Sequence, residues 1–160
     1  MVKVLNAGDA APQFDLPATG GSGRLADHAG KWVVLYFYPR DDTPGCTTEA
    51  KDFTGLLDEF AQLDAVVIGA SRDSLKKHEK FVDKHSLGVI LVSDEAGDDD
   101  SGLCVDYGVW VEKNMYGKTY LGIQRATFLI DPDGKIAQVW PKVKVKGHAE
   151  AVRDAIKAAK

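Results

Sequence analysis

Sulfur is scarce in this sequence, with two cysteines, Cys46 and Cys104, among 160 residues. Two are too few for a disulfide scaffold. They also do not form the Cys-x-x-Cys pair that a disulfide oxidoreductase uses for exchange between neighbouring sulfurs. No stretch approaches 18 continuous apolar residues, so no membrane-spanning helix is expected. The segment before residue 31 has neither an apolar core behind a basic start nor a small-residue cleavage site, and the expected compartment is the cytoplasm. An excess of positive charge is missing too. Against 24 acidic side chains stand 20 basic ones, a formal charge of −4, which argues against a phosphate backbone as partner. The histidines, at 28, 78, 85 and 148, do not combine with two separated cysteines into a zinc set.

What is present fits one domain over residues 1–160, large enough to bury roughly two thirds of its extended-chain surface. Residues 19–23 (TGGSG) read as a turn between short extended segments. Residues 32–38 (WVVLYFY) form an unbroken aromatic and β-branched run, as in a central strand covered on both faces. From Cys46 a helical period begins, with Ala50, Phe53, Leu57 and Phe60 on one side. Residues 65–70 (AVVIGA) predict a second strand, and Ser74 an N-cap for a helix ending near His85.

Residues 88–92 predict a third strand, followed by an acidic loop and a helical turn around Leu103, Cys104 and Tyr107. Residues 108–122 show no steady period and predict an irregular excursion. Residues 127–130 and 135–140, joined by Asp131-Pro132-Asp133-Gly134, predict a hairpin. Lys142, Lys144 and Lys146 alternate with Val143 and Val145, as in a solvated edge strand, with docking of an acidic protein as the rival use. A last helix opens near His148, which reads as a surface residue in the capping region. Trp140 reads as core. The order predicts an α/β fold with a mixed central sheet flanked by helices on both faces, a pattern that suits the thioredoxin-like fold.

The chemistry gathers at residues 39–49 (PRDDTPGCTTE). Carboxyl ends of strands, beside helix N-termini, are where open α/β sheets bind ligands. Unpaired amides and a partial positive charge there favour thiolate over thiol at Cys46. A thiolate attacks the O–O bond of a peroxide and becomes a sulfenic acid. Thr43, three residues earlier, can donate its hydroxyl to the thiolate or to a bound peroxide oxygen. Pro39 and Pro44 restrict the loop, and Pro39 lacks an N–H. Charge moves onto the leaving oxygen, which calls for a cation, and Arg125 at the entrance to the strand 127–130 is the candidate. Glu49 is either a first-turn acid that stabilises the helix or a hydrogen-bonding group for the loop.

The spacing Pro39-x-x-x-Thr43-x-x-Cys46 within residues 36–49 (YFYPRDDTPGCTTE) resembles the active-site loop of peroxiredoxins, in the form found in the bacterioferritin comigratory protein or PrxQ subfamily. The resemblance extends to residues 71–74 (SRDS), 112–116 (EKNMY), 122–131 (GIQRATFLID) and 139–148 (VWPKVKVKGH), and covers about residues 7–158. It implies a thioredoxin-like thiol peroxidase acting on hydrogen peroxide and organic hydroperoxides. Cys46 would be the peroxidatic cysteine, Thr43 and Pro39 would shape and donate within the pocket, and Arg125 would stabilise thiolate and transition state. No metal or organic cofactor is implied. The implied form is a monomer reduced by thioredoxin, or by glutaredoxin with glutathione.

One departure bears on the cycle. Relatives place a resolving cysteine at the position of Lys51 or at about that of Val82, and both are vacant. An internal resolver would have to be Cys104, which otherwise reads as structural. A disulfide needs Cα atoms within about 7 Å. The expectation is a one-cysteine cycle closed by an external thiol. The alternatives are a two-cysteine cycle through Cys104, or a peroxide sensor in which oxidised Cys46 is read by a partner.

Overall fold

The apolar run at the heart of the sequence becomes a strand buried along its whole length. The computed structural model describes residues 4–160. In chain order the strands are β1 (Ala18–Thr19), β2 (Trp32–Phe37), β3 (Ala65–Ser71), β4 (Ile90–Ser93), β5 (Trp110–Met115), β6 (Lys118–Ile123), β7 (Ala126–Ile130) and β8 (Ile136–Trp140). The helices are α1 (Pro44–Gly55), α2 (Leu57–Gln62), α3 (Leu75–His85), α4 (Leu103–Asp106) and α5 (His148–Ala159). Six strands make one mixed sheet in the order β1-β4-β3-β2-β7-β8. In it β2, β3 and β4 run parallel, β7 is antiparallel to β2, and β1 and β8 are antiparallel edges.

Side-chain alternation along β2 divides the core in two. Val33, Leu35 and Phe37 face a cluster containing Phe128, Leu103, Cys104 and Tyr107. Trp32, Val34, Tyr36 and Tyr38 face the other, with Cys46, Ala50, Phe53, Phe60, Phe81, Val152 and Ile156. Thus α1, α2, α3 and α5 cover one face, while α4 and the N-terminal segment cover the opposite one. Helices lie on both faces, as the sequence order implied. The mixed sheet therefore separates the two cysteines.

Local signals explain most boundaries. Pro44 stands at the first helical position, where its missing N–H costs nothing, so α1 starts two residues before the periodic pattern at Cys46. Ser74 caps α3, its hydroxyl accepting from the Lys77 amide at 3.2 Å. Helix α3 stops at Ser86, which adopts the left-handed conformation.

Three expectations need correction. Residues 108–122 are not irregular, because β5 and β6 form a two-stranded hairpin with Met115 opposite Lys118. Its turn, Tyr116-Gly117, has φ of 53° and 76°, as a tight primed turn requires. The hairpin stands apart from the main sheet and is mostly exposed, so no apolar alternation was imposed on its sequence. The lysines at 142, 144 and 146 do not lie on a strand. Pro141 cannot donate to a ladder and β8 ends before it, although the lysines remain exposed and the valines half-buried. His148 is buried rather than superficial, with Nε2 2.8 Å from Thr127 Oγ1 and its ring edge-on to Phe53 and Trp140. Trp140 is half-buried against that cluster.

Candidate active site

Cys46 occupies the first turn of α1, at the carboxyl end of β2, and faces inward with 1% of its surface exposed. The Gly45 and Cys46 amides lie ahead of the first intrahelical acceptor, whereas the Thr47 amide donates to the Thr43 carbonyl at 2.8 Å. Arg125 reaches it from the start of β7. Its Nη2 donates to Cys46 Sγ at 3.3 Å, and its Nη1 donates to Glu49 Oε1 at 2.6 Å. One planar guanidinium thus spans two side chains one helical turn apart, an arrangement a lysine could not reproduce. Gly45 permits the approach, since a Cβ there would stand 3.2 Å from Arg125 Nη2. The Arg125 carbonyl accepts from the Val143 amide at 3.0 Å, so the extended segment after β8 fastens the arginine's own backbone.

The electrostatics follow from burial. Glu49 is 1% exposed, and desolvation pushes its carboxyl up to about 7 against the pull of Arg125. Among the described residues its Oε2 has no hydrogen-bond partner. Burial alone would lower Arg125, but Glu49 and Cys46 outweigh it and hold the guanidinium above its ordinary value. Lys113 on β5 is lowered by burial and by Arg125, with Cys46 acting in the opposite direction. A second cationic side chain, this one on the hairpin, therefore lies near Arg125 and Cys46. His148 is lowered to about 4, first by burial and then by Arg125, and is neutral at physiological pH.

Thr43 departs from expectation. It stands at the N-cap of α1, yet its hydroxyl donates to the Arg40 carbonyl at 3.0 Å rather than to the sulfur. A hydroxyl whose one hydrogen is engaged keeps two lone pairs, so what Thr43 has left to offer a partner is an acceptor. Pro39 is exposed at the end of β2, where it terminates strand pairing. Glu49 belongs to the site through Arg125. Its sequence signal, an acid one turn after a helix-opening cysteine, did not separate that role from a helix-stabilising one.

Cys104 lies across the sheet from Cys46. It is fully buried, its backbone amide donates to Asp94 Oδ2 at 3.0 Å, and burial together with Asp94 pushes its thiol far up. Both cysteines are free. A cavity of about 340 Å³ opens on the other side of the active-site loop, lined by Arg40, Asp42, Lys77 and Phe81 among others, and Cys46 does not line it.

A cysteine in the first turn of a helix, at the end of a central strand, with a guanidinium on its sulfur, defines a thiol-dependent peroxidase on a thioredoxin-like sheet. Comparison with known proteins agrees. Residues 7–139 match the model of the AhpC/TSA family. Peroxiredoxin Bcp of Xanthomonas campestris pv. campestris is 52% identical over 151 residues, 92% of each chain. A solved structure of Xanthomonas campestris peroxiredoxin Q superposes with a TM-score of 0.85 at 49% identity, covering 95% of this chain and 97% of that one. Another, of the Xanthomonas campestris bacterioferritin comigratory protein, is described for its alkyl peroxide reduction activity; its TM-score is 0.86 at 48% identity, covering 96% and 99%. The chain belongs to the AhpC/TSA family and, within it, to the peroxiredoxins of the Bcp or Q type.

Proposed function

We propose that Cys46 is the peroxidatic cysteine and that its substrates are hydrogen peroxide and organic hydroperoxides. The observation that carries this reading is the 3.3 Å contact between Arg125 Nη2 and Cys46 Sγ within the first turn of α1. The Cys46 thiolate attacks one oxygen of the hydroperoxide, a sulfur–oxygen bond forms, and the O–O bond breaks. The pair of electrons leaves with the alkoxide or hydroxide, which takes a proton to become alcohol or water, while Cys46 is left as sulfenic acid. Arg125 faces both the sulfur and the developing charge, and its fork stays fixed because Glu49 holds the second nitrogen. Thr43 accepts from the hydroperoxide O–H, and Pro39 keeps a competing amide out of the loop. The reaction uses no metal or organic cofactor.

The cycle closes with an external thiol. The position of Cys104 on the opposite face supports this, since both cysteines are enclosed in separate clusters. Two thiols reduce the sulfenic acid to thiol, releasing water and one disulfide. Thioredoxin, or glutathione with glutaredoxin, supplies them. The catalytic unit is the whole chain as one domain, a monomer in the cytoplasm. Among the described residues no helix is long and apolar enough to cross a membrane, and the charge balance gives nucleic acid no attraction.

Steady-state peroxide consumption with thioredoxin or with glutathione and glutaredoxin tests this. Cys46→Ser is expected to be inactive and folded, and Cys104→Ser to turn over with at least one of these reductants. Recycling lost in Cys104→Ser with both would overturn the one-cysteine cycle, and activity in Cys46→Ser would overturn the site.

A further inference from the structure

The loop that carries Thr43 toward Cys46 is clamped by a buried histidine on another helix. His78 of α3 is fully buried, and each of its ring nitrogens meets an acceptor. Nε2 lies 2.8 Å from the Val92 carbonyl oxygen, and Nδ1 lies 2.7 Å from Asp41 Oδ2. A carbonyl only accepts, so Nε2 carries a hydrogen. The second contact then needs one more proton, on Nδ1 or on the carboxyl, and the pair as a whole is neutral. Asp41 Oδ1 accepts from the Tyr38 hydroxyl at 2.6 Å, which leaves no lone aspartate oxygen in the interior.

The same residue is gripped through its backbone. The Asp41 amide donates to Asp73 Oδ2 at 2.8 Å, and Asp73 Oδ2 also accepts from the Ser71 hydroxyl at 2.7 Å. Its carbonyl accepts from the Ser93 hydroxyl at 2.6 Å. Ends of β2, β3 and β4 and the body of α3 thereby converge on one loop residue. The Asp41 amide and the Arg40 carbonyl belong to a single planar peptide. That carbonyl is the one that receives the Thr43 hydroxyl at 3.0 Å. Any movement of Asp41 tilts the plane and redirects the Thr43 oxygen.

We propose that Asp41 and His78 are positioning residues for the peroxide reaction: their buried hydrogen-bonded pair fixes the Arg40–Asp41 peptide, and through it the lone pairs that Thr43 presents beside Cys46. The proposal rests on the assignment of Cys46 as the peroxidatic residue. Neither residue touches substrate, and each acts through Thr43.

The geometry sets a conservative test. In Asp41→Asn the amide oxygen accepts from Tyr38, and the amide nitrogen donates to Nδ1 of a neutral His78 whose Nε2–H still faces Val92. Every hydrogen bond survives without the shared proton. In Asp41→Ala all the side-chain bonds are lost. Single-turnover oxidation of Cys46 by hydrogen peroxide is measured on the full chain, at a temperature where circular dichroism shows each variant folded. Asp41→Asn is expected within about threefold of the unaltered protein. Asp41→Ala is expected to be slower by about 10-fold to 100-fold, the scale on which small misplacements of reacting groups act.

Because Asp41 works through Thr43, Asp41→Ala combined with Thr43→Val should be no slower than the slower single variant. A folded Asp41→Ala that reacts at the unaltered rate overturns the proposal, as do full losses that multiply in the double variant. Cys46→Ser in the same assay keeps the two levels apart, since residual oxidation there would undo the assignment of Cys46 instead.

Discussion

Removing the guanidinium beside Cys46 perturbs the site most directly. At 3.3 Å, two unit charges attract by about 5 kcal/mol at an effective dielectric near 20, which bounds the field Arg125 supplies. The rate should lose less than that bound, since the first-turn amides of α1 remain and water fills part of the space. Loss of one preorganised donor at a developing oxyanion costs about 3–4 kcal/mol, or about 10²–10³ in rate. Arg125→Ala should therefore lower the second-order rate constant for Cys46 oxidation by that factor in stopped-flow measurements with hydrogen peroxide. The fold should survive, because Glu49, already pushed up to about 7 by burial, becomes more easily neutral once its partner is gone. Arg125→Lys restores a charge without the two-pronged grip on Sγ and Glu49 Oε1, and should recover about tenfold. A folded Arg125→Ala protein within about threefold of the unaltered rate would refute the assignment of Arg125 to the reaction.

Two buried groups give opposite pH slopes of stability. Glu49 has a folded value of about 7 against 4.5 for the free group, so the folded state binds the extra proton and stability falls as pH rises between these values, by at most about 3 kcal/mol. His148, at about 4 against 6.5, does the reverse, and its contribution is lost as pH falls through that window. Urea titrations at stepped pH should show stability rising more steeply with pH in Glu49→Gln than in the unaltered protein, and falling in His148→Gln; unchanged slopes would contradict the burial argument. Gly69→Ala should destabilise by about 1–3 kcal/mol in thermal melts, because the new Cβ would lie 2.6 Å from Tyr36 Cζ and 2.8 Å from Leu91 Cδ2. An unchanged melting temperature would show that this part of the core has slack.

The parts legible in the sequence were those written in local chemistry. The unbroken apolar run gave β2, the Ser74 cap gave the start of α3, and Asp131-Pro132-Asp133-Gly134 gave the hairpin of β7 and β8. Cys46 was locatable for the same reason, since strand end and helix start adjoin in the chain. Pairing across distance was harder. Arg125 could be named as a cation without its grip on Glu49, a contact 76 residues away. His78 falls three residues after Leu75 and three before Phe81, on the inward side of α3, but that spacing does not say that it meets Asp41, on a loop 37 positions earlier. The hairpin of β5 and β6 was hidden because exposure on both faces leaves no apolar alternation, and only the Tyr116-Gly117 pair marked its turn.

Mass spectrometry after one equivalent of hydrogen peroxide, with the thiols trapped at once, tests most directly whether a lone thiolate carries the chemistry. The product should hold one added oxygen, located by digestion on the peptide containing Cys46, with Cys104 still a thiol. An intramolecular disulfide, or oxygen on Cys104 with Cys46 unmodified, would contradict the account.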